Sequence, residues 1–318
     1  MEGSDKHAGR TERKTENGMK KTYSRFEDIL SGRASEETID GCLVIEGGGF
    51  RGLHTQGFLD VMMREGLNLS CVIGVSAGAL AGINYLSGQI GRSARINIGY
   101  RHDHRYIGLR ALLHSGSVID VGFLTEERGI TEPLDWDRFN DPKKRFVAVA
   151  TNCRTGKPVY FEKGKCSDIL LAARASGTIP SISPEVMIDG EPYLDGGCCM
   201  RLPYRWAIDQ GYQKIIVLRT RDASYRDYEG PDIRSRRNYG RKYPALCDAL
   251  DKNGKGYNKA VDELERLDSE GVLLHIYPSK PIDVKKTEGD VEKLGELYFD
   301  GVRDCENMLD RLKSYLKN

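Results

Sequence analysis

The chain has 318 residues, of which 39% are hydrophobic and 30% are charged. This length suits one large domain or a domain with an extension, and the short, separated apolar runs exclude collagen-like, coiled-coil and disordered proteins. Lys plus Arg number 48 and Asp plus Glu 47, so the net charge of +1 gives no whole-molecule argument for nucleic acid or an anionic membrane as a partner. No apolar run approaches the ~20 residues that cross a bilayer, which predicts a soluble protein.

The first part of the chain is polar. Residues 1–38 are rich in Lys, Arg, Glu, Ser and Gly, so we predict a flexible polar tail whose one candidate element is a short helix around residues 23–30. This segment lacks the apolar core of a signal peptide, which favours a cytoplasmic protein, although export without a signal would leave no trace in the sequence.

An α/β pattern begins near residue 41. Residues 41–46 (GCLVIE) are typical of a buried parallel strand; a glycine cluster, an amphipathic helix over 53–64, a strand at 71–73 and a small apolar helix over 77–86 follow. Strand, glycine loop, helix, strand and helix are the opening of an α/β sheet.

Later segments extend this sheet and end in a helix. Further strands are predicted at residues 145–151, 158–161, 185–188, 214–218 and 272–277, and helices at 166–175 and 289–316. Residues 219–255 resemble a loop or a solvated helix. Their basic cluster suits either a solvated face or a surface that touches an anionic headgroup, and consists of Arg234, Arg236, Arg237, Arg241 and Lys242.

The sequence shows no metal-ligand spacing. The eight cysteines form no CxxC pair, and the adjacent Cys198 and Cys199 suit neither a zinc site nor a mutual disulfide. His102-Asp103-His104 lacks a third spaced ligand. We therefore predict buried, reduced thiols and neither a metal nor an organic cofactor.

A candidate nucleophile lies between the second strand and its helix. Gly74-Val75-Ser76-Ala77-Gly78 has the form GxSxG, and its position between a strand and a helix is that of a nucleophile elbow. The sharp turn projects the Ser76 hydroxyl beyond the sheet, and Gly74 and Gly78 leave room for the turn and for close packing of strand on helix.

The glycine cluster at residues 47–52 (GGGFRG) has two interpretations. It matches the dinucleotide pattern GxGxxG, but the second strand ends without an acidic residue for a ribose, and no Gly-Lys-Ser/Thr follows to make a phosphate-binding P-loop. We favour an oxyanion hole in which Gly48 and Gly49 present N–H groups at a helix N-terminus. Arg51 would add positive charge or brace the loop.

Ser76 needs a base, and Asp195 is the candidate. It follows the short predicted strand at 192–194 and precedes two glycines, and none of the six histidines has a motif around it. A carboxylate is a weak base at neutral pH, so it serves only if burial raises its pKa or if it acts within a tight Ser–Asp hydrogen bond.

Together, GGGFRG, GVSAG and the DGG at Asp195 resemble the patatin-like phospholipase family over residues 42–208. The resemblance implies a three-layer α/β/α sandwich and a Ser76–Asp195 dyad without histidine, acting on acyl esters of lipids. It also implies an oxyanion loop formed by Gly47, Gly48, Gly49, Arg51 and Gly52. Glu46, where many members have Asp, and DGG in place of DGA are mild departures. Residues 209–318 resemble the C-terminal segment of a bacterial subgroup, and we expect them to be a helical extension packed on the same body.

The predicted function is therefore a lipid acyl hydrolase of the phospholipase A or lysophospholipase type, with a lipid substrate, no nucleic-acid partner and a transient membrane contact as a candidate. Acyl length, headgroup and oligomeric state are not encoded in any pattern we recognise. Two alternatives stay open: an α/β-hydrolase triad of Ser76, Asp195 and His275, whose order in the chain fits, and a non-catalytic lipid-binding protein with this fold.

Overall fold

The computed structural model describes residues 22–108 and 132–317, together with residues 110, 111, 120 and 122. In chain order the strands and helices within these ranges are β1 (Gly32–Arg33), β2 (Ile39–Ile45), α1 (Gly52–Arg64), β3 (Leu69–Val75), α2 (Ala77–Leu86), β4 (Gln89–Ile90), α3 (Arg92–Gly99), α4 (Trp136–Asn140), β5 (Arg145–Asn152), β6 (Pro158–Glu162), α5 (Ile169–Ser176), β7 (Val186–Ile188), β8 (Glu191–Asp195), α6 (Tyr204–Asp209), β9 (Ile215–Leu218), α7 (Ile233–Tyr239), α8 (Pro244–Ser269), β10 (Leu274–Ile276) and α9 (Val291–Lys317).

The centre of the fold is an eight-stranded mixed sheet. Neighbouring strands in the series β10-β9-β2-β3-β5-β8-β7 are hydrogen-bonded to each other, and β6 also pairs with β5. The five strands from β10 to β5 are parallel, whereas β6, β8 and β7 pair with their neighbours in antiparallel fashion. The parallel strands are continuous apolar runs because helices cover both of their faces.

Alternate side chains of these strands enter two separate cores. On β2, Leu43 and Ile45 pack in the core beneath α1, α2 and α9, whereas Cys42 and Val44 pack in the core beneath α6 and α8. Because successive strand residues point to opposite faces, this division gives a layer of helices on each side of the sheet. The predicted three-layer α/β/α sandwich with a helical C-terminal region is confirmed.

The C-terminal helix α9 packs closely along α1. Added Cβ atoms would collide with the Tyr298 carbonyl oxygen at Gly57 and with the His54 carbonyl oxygen at Gly301, so the two backbones approach through a pair of glycines. The Tyr298 hydroxyl donates to the buried Asp60 carboxylate at 2.9 Å. The helix that follows the glycine cluster is thereby fixed to the far end of the chain.

The expected N-terminal tail lies partly outside the described residues, at positions 1–21. In residues 22–38 the side chains of Tyr23 and Ile29 are buried, and a single 3₁₀ turn, Phe26–Asp28, occupies the expected helix position. The Tyr23 hydroxyl donates to Glu296 of α9 at 2.8 Å. This part of the polar segment therefore packs on the body.

The largest departure from the predicted elements is the 26-residue helix α8, which begins within the segment 219–255, predicted as a loop or a solvated helix, and continues beyond it. Gly254 lies in its interior where the helix passes the Asp227 backbone; a Cβ there would be 3.1 Å from the Asp227 carbonyl oxygen. Tertiary packing of Tyr257, Val261 and Leu264 against the sheet outweighs the low helix propensity of the glycine. None of the helices in the described ranges is long and apolar enough to span a bilayer.

Candidate active site

Ser76 occupies a strained turn between β3 and α2. Its φ is 56° and its ψ is −126°, a left-handed conformation that few residues other than glycine adopt. A Cβ at Gly74 would come within 2.5 Å of the Ala79 amide nitrogen, and one at Gly78 would collide with the Ile45 carbonyl oxygen. The two glycines of the motif are therefore required by the close contact of α2 with β3 at Gly74 and with the end of β2 at Gly78.

The register of β5 explains how Asp195 reaches Ser76. Val149 of β5 pairs with Val75 of β3, and the next residue, Ala150, pairs with Asp195 of β8. The opposite side of β5 is occupied by β6, so β3 and β8 lie end to end on one side of it, with their carboxyl ends facing each other. Residues separated by 119 positions in the chain thus become neighbours.

The Ser76 hydroxyl lies close to the Asp195 carboxylate and favours its charged form. Asp195 Oδ1 accepts a hydrogen bond from the Gly197 amide at 2.7 Å. Burial raises the pKa of Asp195 above its ordinary value, although the Ser76 hydroxyl, the Gly197 amide and the positive charges of Lys286 and Arg201 oppose the increase. A carboxylate with a raised pKa beside a hydroxyl is a candidate proton acceptor for that hydroxyl.

Two further residues position this pair. The Ser176 hydroxyl accepts from the Ser76 amide at 2.8 Å and donates to the Val149 carbonyl at 2.6 Å, which ties the turn to β5. The Thr151 hydroxyl donates to the Asp195 carbonyl at 2.9 Å. Neither residue belongs to a motif, so no sequence signal indicates its role.

The glycine loop, residues 47–52, lies beside Ser76. A Cβ at Gly47 would be 2.8 Å from the Ser76 Cβ, and Gly49 has the left-handed φ of 58°. Among the described residues, we find no acceptor for the Gly48 and Gly49 amides, whereas the Phe50 amide donates to the Lys286 carbonyl at 3.1 Å. The first two amides are thus available to donate hydrogen bonds to a ligand.

Arg51 and Glu46 flank this loop. Arg51 is only 8% exposed; burial and the nearby Arg221 lower its pKa to about 10, and its Nε atom has no hydrogen-bond partner within the described ranges. The Glu46 carboxylate accepts from the Thr220 amide at 2.7 Å and from its hydroxyl at 3.2 Å. Glu46 therefore links the loop to the end of β9.

Ser76, Asp195 and the glycine loop line a cavity of about 380 Å³. Its apolar lining residues include Leu53, Leu80, Ile83, Ile96, Tyr106, Ile107, Leu134, Ile179 and Pro180. Its charged lining residues include Arg51, Arg201, Arg221, Asp227, Glu229 and Lys286. The lining therefore offers contacts to both apolar and polar groups of a ligand.

Lys286 is a cavity residue that sequence reasoning missed. It belongs to the segment between β10 and α9, where desolvation within the cavity and the charge of Arg51 lower its pKa. Its backbone carbonyl also supports the glycine loop. In the sequence it lies in the polar run Lys285-Lys286-Thr287-Glu288, which looks like an ordinary solvated loop.

The structure separates His275 from the other two members of the alternative triad. His275 lies on β10 at the edge of the sheet, with β9 and β2 between it and β3. It is 2% exposed, and burial and Arg219 lower its pKa to about 3. Its side chain does not line the cavity that contains Ser76 and Asp195.

Comparison with known proteins places this geometry in a family. Residues 43–208 match the patatin-like phospholipase family, and residues 243–317 match a domain of unknown function, DUF6363. The chain is 33% identical over 183 residues to the uncharacterized protein YjjU of Escherichia coli K12, covering 56% of this chain and 51% of that protein. It is 25% identical over 325 residues to lysophospholipase NTE1 of Scheffersomyces stipitis, covering 94% of this chain and 19% of that protein.

The chain spans about half the length of the first curated relatives it matches. Among solved structures, VipD from Legionella pneumophila is similar with a TM-score of 0.47 and 17% identity, over 88% of this chain and 68% of that one. The family match covers more than half of the 318 residues and includes Ser76, Asp195 and the glycine loop, so the chain belongs to the patatin-like phospholipase family.

Proposed function

We propose that the protein hydrolyses acyl esters of lipids with a dyad of Ser76 and Asp195, as a phospholipase A or lysophospholipase. The observation that carries the proposal is that the Ser76 hydroxyl lies beside the Asp195 carboxylate in a cavity with many apolar lining residues. The family match and the lysophospholipase among the relatives support a lipid substrate.

In the first step, Ser76 Oγ attacks the ester carbonyl while Asp195 accepts the hydroxyl proton. The Gly48 and Gly49 amides donate to the oxyanion of the tetrahedral intermediate, and the charge of Arg51 supports them. Collapse of the intermediate breaks the ester C–O bond, and the leaving alkoxide takes the proton from Asp195. The acyl group then remains on Ser76.

In the second step, water attacks the acyl-serine ester while Asp195 accepts a proton from the water. Collapse of this second intermediate returns the proton to Ser76 Oγ and releases the fatty acid. The cavity residues named above supply each proton transfer, so this scheme calls for no cofactor.

The test is labelling with a fluorophosphonate, which requires an activated serine, together with hydrolysis of p-nitrophenyl esters of graded length, phospholipids and lysophospholipids. Ser76→Ala should abolish both labelling and hydrolysis with little loss of stability, because it removes one oxygen. Ser269→Ala, at the exposed end of α8, is the matched control and should change neither. Substantial activity in Ser76→Ala would reject the nucleophile, and a folded wild-type protein without labelling would favour the non-catalytic alternative.

A further inference from the structure

Three large apolar side chains are exposed close in the chain to residues that line the cavity. Tyr228 is 85% exposed, Ile233 is 81% exposed and Ile182 is 42% exposed. Burying such side chains in water-free surroundings is favourable, so a cluster of them at one place on a surface indicates a binding partner.

These three residues belong to two segments that also line the cavity. The cavity is lined by Asp227 and Glu229, on either side of Tyr228, and by Asp232, next to Ile233. It is also lined by Ile179 and Pro180, shortly before Ile182.

Two hydrogen bonds join the segments. Arg234 Nη2 donates to the Ser181 carbonyl at 3.2 Å, and the Ser181 amide donates to the Tyr239 hydroxyl at 2.9 Å. The exposed apolar groups therefore share one rim of the cavity.

Positive charge accompanies these apolar groups. On α7, Ser235 and Tyr239 are buried, whereas Arg234 and Arg237 are exposed, as is Arg241 just beyond the helix. Within the described ranges we find no ion pair to these three arginines. Other basic residues of the predicted cluster are neutralised: Arg236 pairs with Asp248 and Asp251, and Lys242 pairs with Glu185.

We infer that Ile182, Tyr228, Ile233, Arg234, Arg237 and Arg241, here called the rim patch, dock the protein on a lipid surface with anionic headgroups. Exposed apolar side chains enter the interface between headgroups and acyl chains, and unpaired arginines are attracted to its negative potential. Their position at the cavity mouth favours a lipid surface over a second copy of the chain, because an acyl ester could pass from the bilayer to Ser76 without crossing water. Because passage of an acyl ester to Ser76 matters only if Ser76 hydrolyses it, this inference rests on the proposed function.

The experiment is co-sedimentation of the full chain with vesicles of pure phosphatidylcholine and of phosphatidylcholine containing roughly one third phosphatidylglycerol. We expect stronger binding to the anionic vesicles, and added salt should weaken it. The double variant Tyr228→Ser/Ile233→Ser and the triple variant Arg234→Gln/Arg237→Gln/Arg241→Gln should each bind the anionic vesicles roughly tenfold or more weakly.

The matched control is Val272→Ser. Val272 is 41% exposed but precedes β10. Because β10 runs parallel to β3, Val272 lies at the amino ends of these strands, whereas Ser76 lies at the carboxyl end of β3. This variant should bind vesicles like the wild type. All rim variants should hydrolyse a short, soluble p-nitrophenyl ester at the wild-type rate, which also shows that they are folded.

Unchanged vesicle binding in both rim variants would overturn the inference, as would equal binding to the two kinds of vesicle. A wild-type dimer that the rim substitutions dissociate would overturn it in favour of a second copy. Ser76→Ala should still bind the vesicles, because binding needs no catalysis. If the wild-type protein binds the vesicles but hydrolyses no ester, the proposed function is rejected and the docking inference stands.

Discussion

At the scale of single residues, the identity of the base separates the dyad from a triad. Asp195→Asn should lower the rate of ester hydrolysis by roughly 10²–10⁴-fold, the usual contribution of a positioned base. His275→Ala should leave the rate unchanged and lower only stability, because His275 is buried on an edge strand and its pKa of about 3 keeps it neutral. Steady-state kinetics of both variants, with thermal unfolding as the control for folding, decide between the dyad and the triad. Loss of activity in a folded His275→Ala would establish the triad.

The glycine loop offers a second test at this scale. Gly49→Ala should lower kcat by roughly two to three orders of magnitude with a smaller effect on KM, because an oxyanion donor stabilises mainly the transition state. The added Cβ would lie 2.5 Å from the Lys286 carbonyl, and φ is 58°.

Gly66→Ala is the matched control for Gly49→Ala. Gly66 also has a left-handed φ, of 71°, but the nearest atom to its added Cβ is 3.7 Å away, at Ser35. This variant should lose some stability and keep its kcat. Neither NAD nor ATP should raise Tm, and a clear increase with either, together with wild-type esterase activity in Gly49→Ala, would favour the dinucleotide loop.

At the scale of elements, a buried contact joins α9 to α1. Asp304 lies 2.7 Å from His54 Nε2 and accepts from the Ser279 amide at 2.9 Å. Although burial opposes it, these hydrogen bonds lower the pKa of Asp304 to about 2 from its ordinary 3.8. An acid whose pKa is lower in the folded state stabilises that state above pH ~4, and this stabilisation is lost as the pH falls towards ~2.

Asp304→Asn should therefore reduce the free energy of unfolding at pH 7 by about 1–3 kcal/mol and reduce its dependence on pH between ~4 and ~2. Urea unfolding at several pH values measures both effects. Asp310→Asn, on the exposed side of the same helix, is the control and should unfold like the wild type. Equal stability of Asp304→Asn and the wild type at pH 7 would show that the contact contributes nothing.

The sequence predicts elements well where apolar periodicity is strong. β2, β3 and β5 occur within about two residues of their predicted limits, as do α1, α2 and α9, because each has a continuous apolar run or an amphipathic stripe. The interior of α8 is helical because of its tertiary packing, and the glycines within it make the sequence look like a poor helix former. Lys286 reaches the cavity because β10 and α9 place its loop there, and a loop path of this kind has no local pattern.

At the scale of the whole molecule, the segment that matches the family does not include the whole sheet. The match ends at residue 208, yet β9 pairs with β2 at the centre of the sheet and β10 pairs with β9. We propose that residues 209–318 fold together with the catalytic segment as one body. Without them, β2 would present an unpaired edge and α1 would lose α9.

A chain that ends at residue 208 should therefore aggregate or remain unfolded and should not react with the fluorophosphonate. Solubility, circular dichroism and labelling, each compared with the full chain, check this expectation. A soluble truncated chain with a cooperative thermal transition would show instead that the extension is a separate unit.

The end-to-end arrangement of β3 and β8 along β5 has a consequence for motion within the site. The separation of Ser76 from Asp195 depends on the peptide unit between Val149 and Ala150, which belongs to a buried strand and not to a loop. The glycine loop, in contrast, follows β2 and is supported by Lys286 from a distant part of the chain. In the proposed mechanism, the sheet thus holds the proton-transfer pair while the anion donors are supported separately, so adaptation to substrates of different shape belongs to the donors.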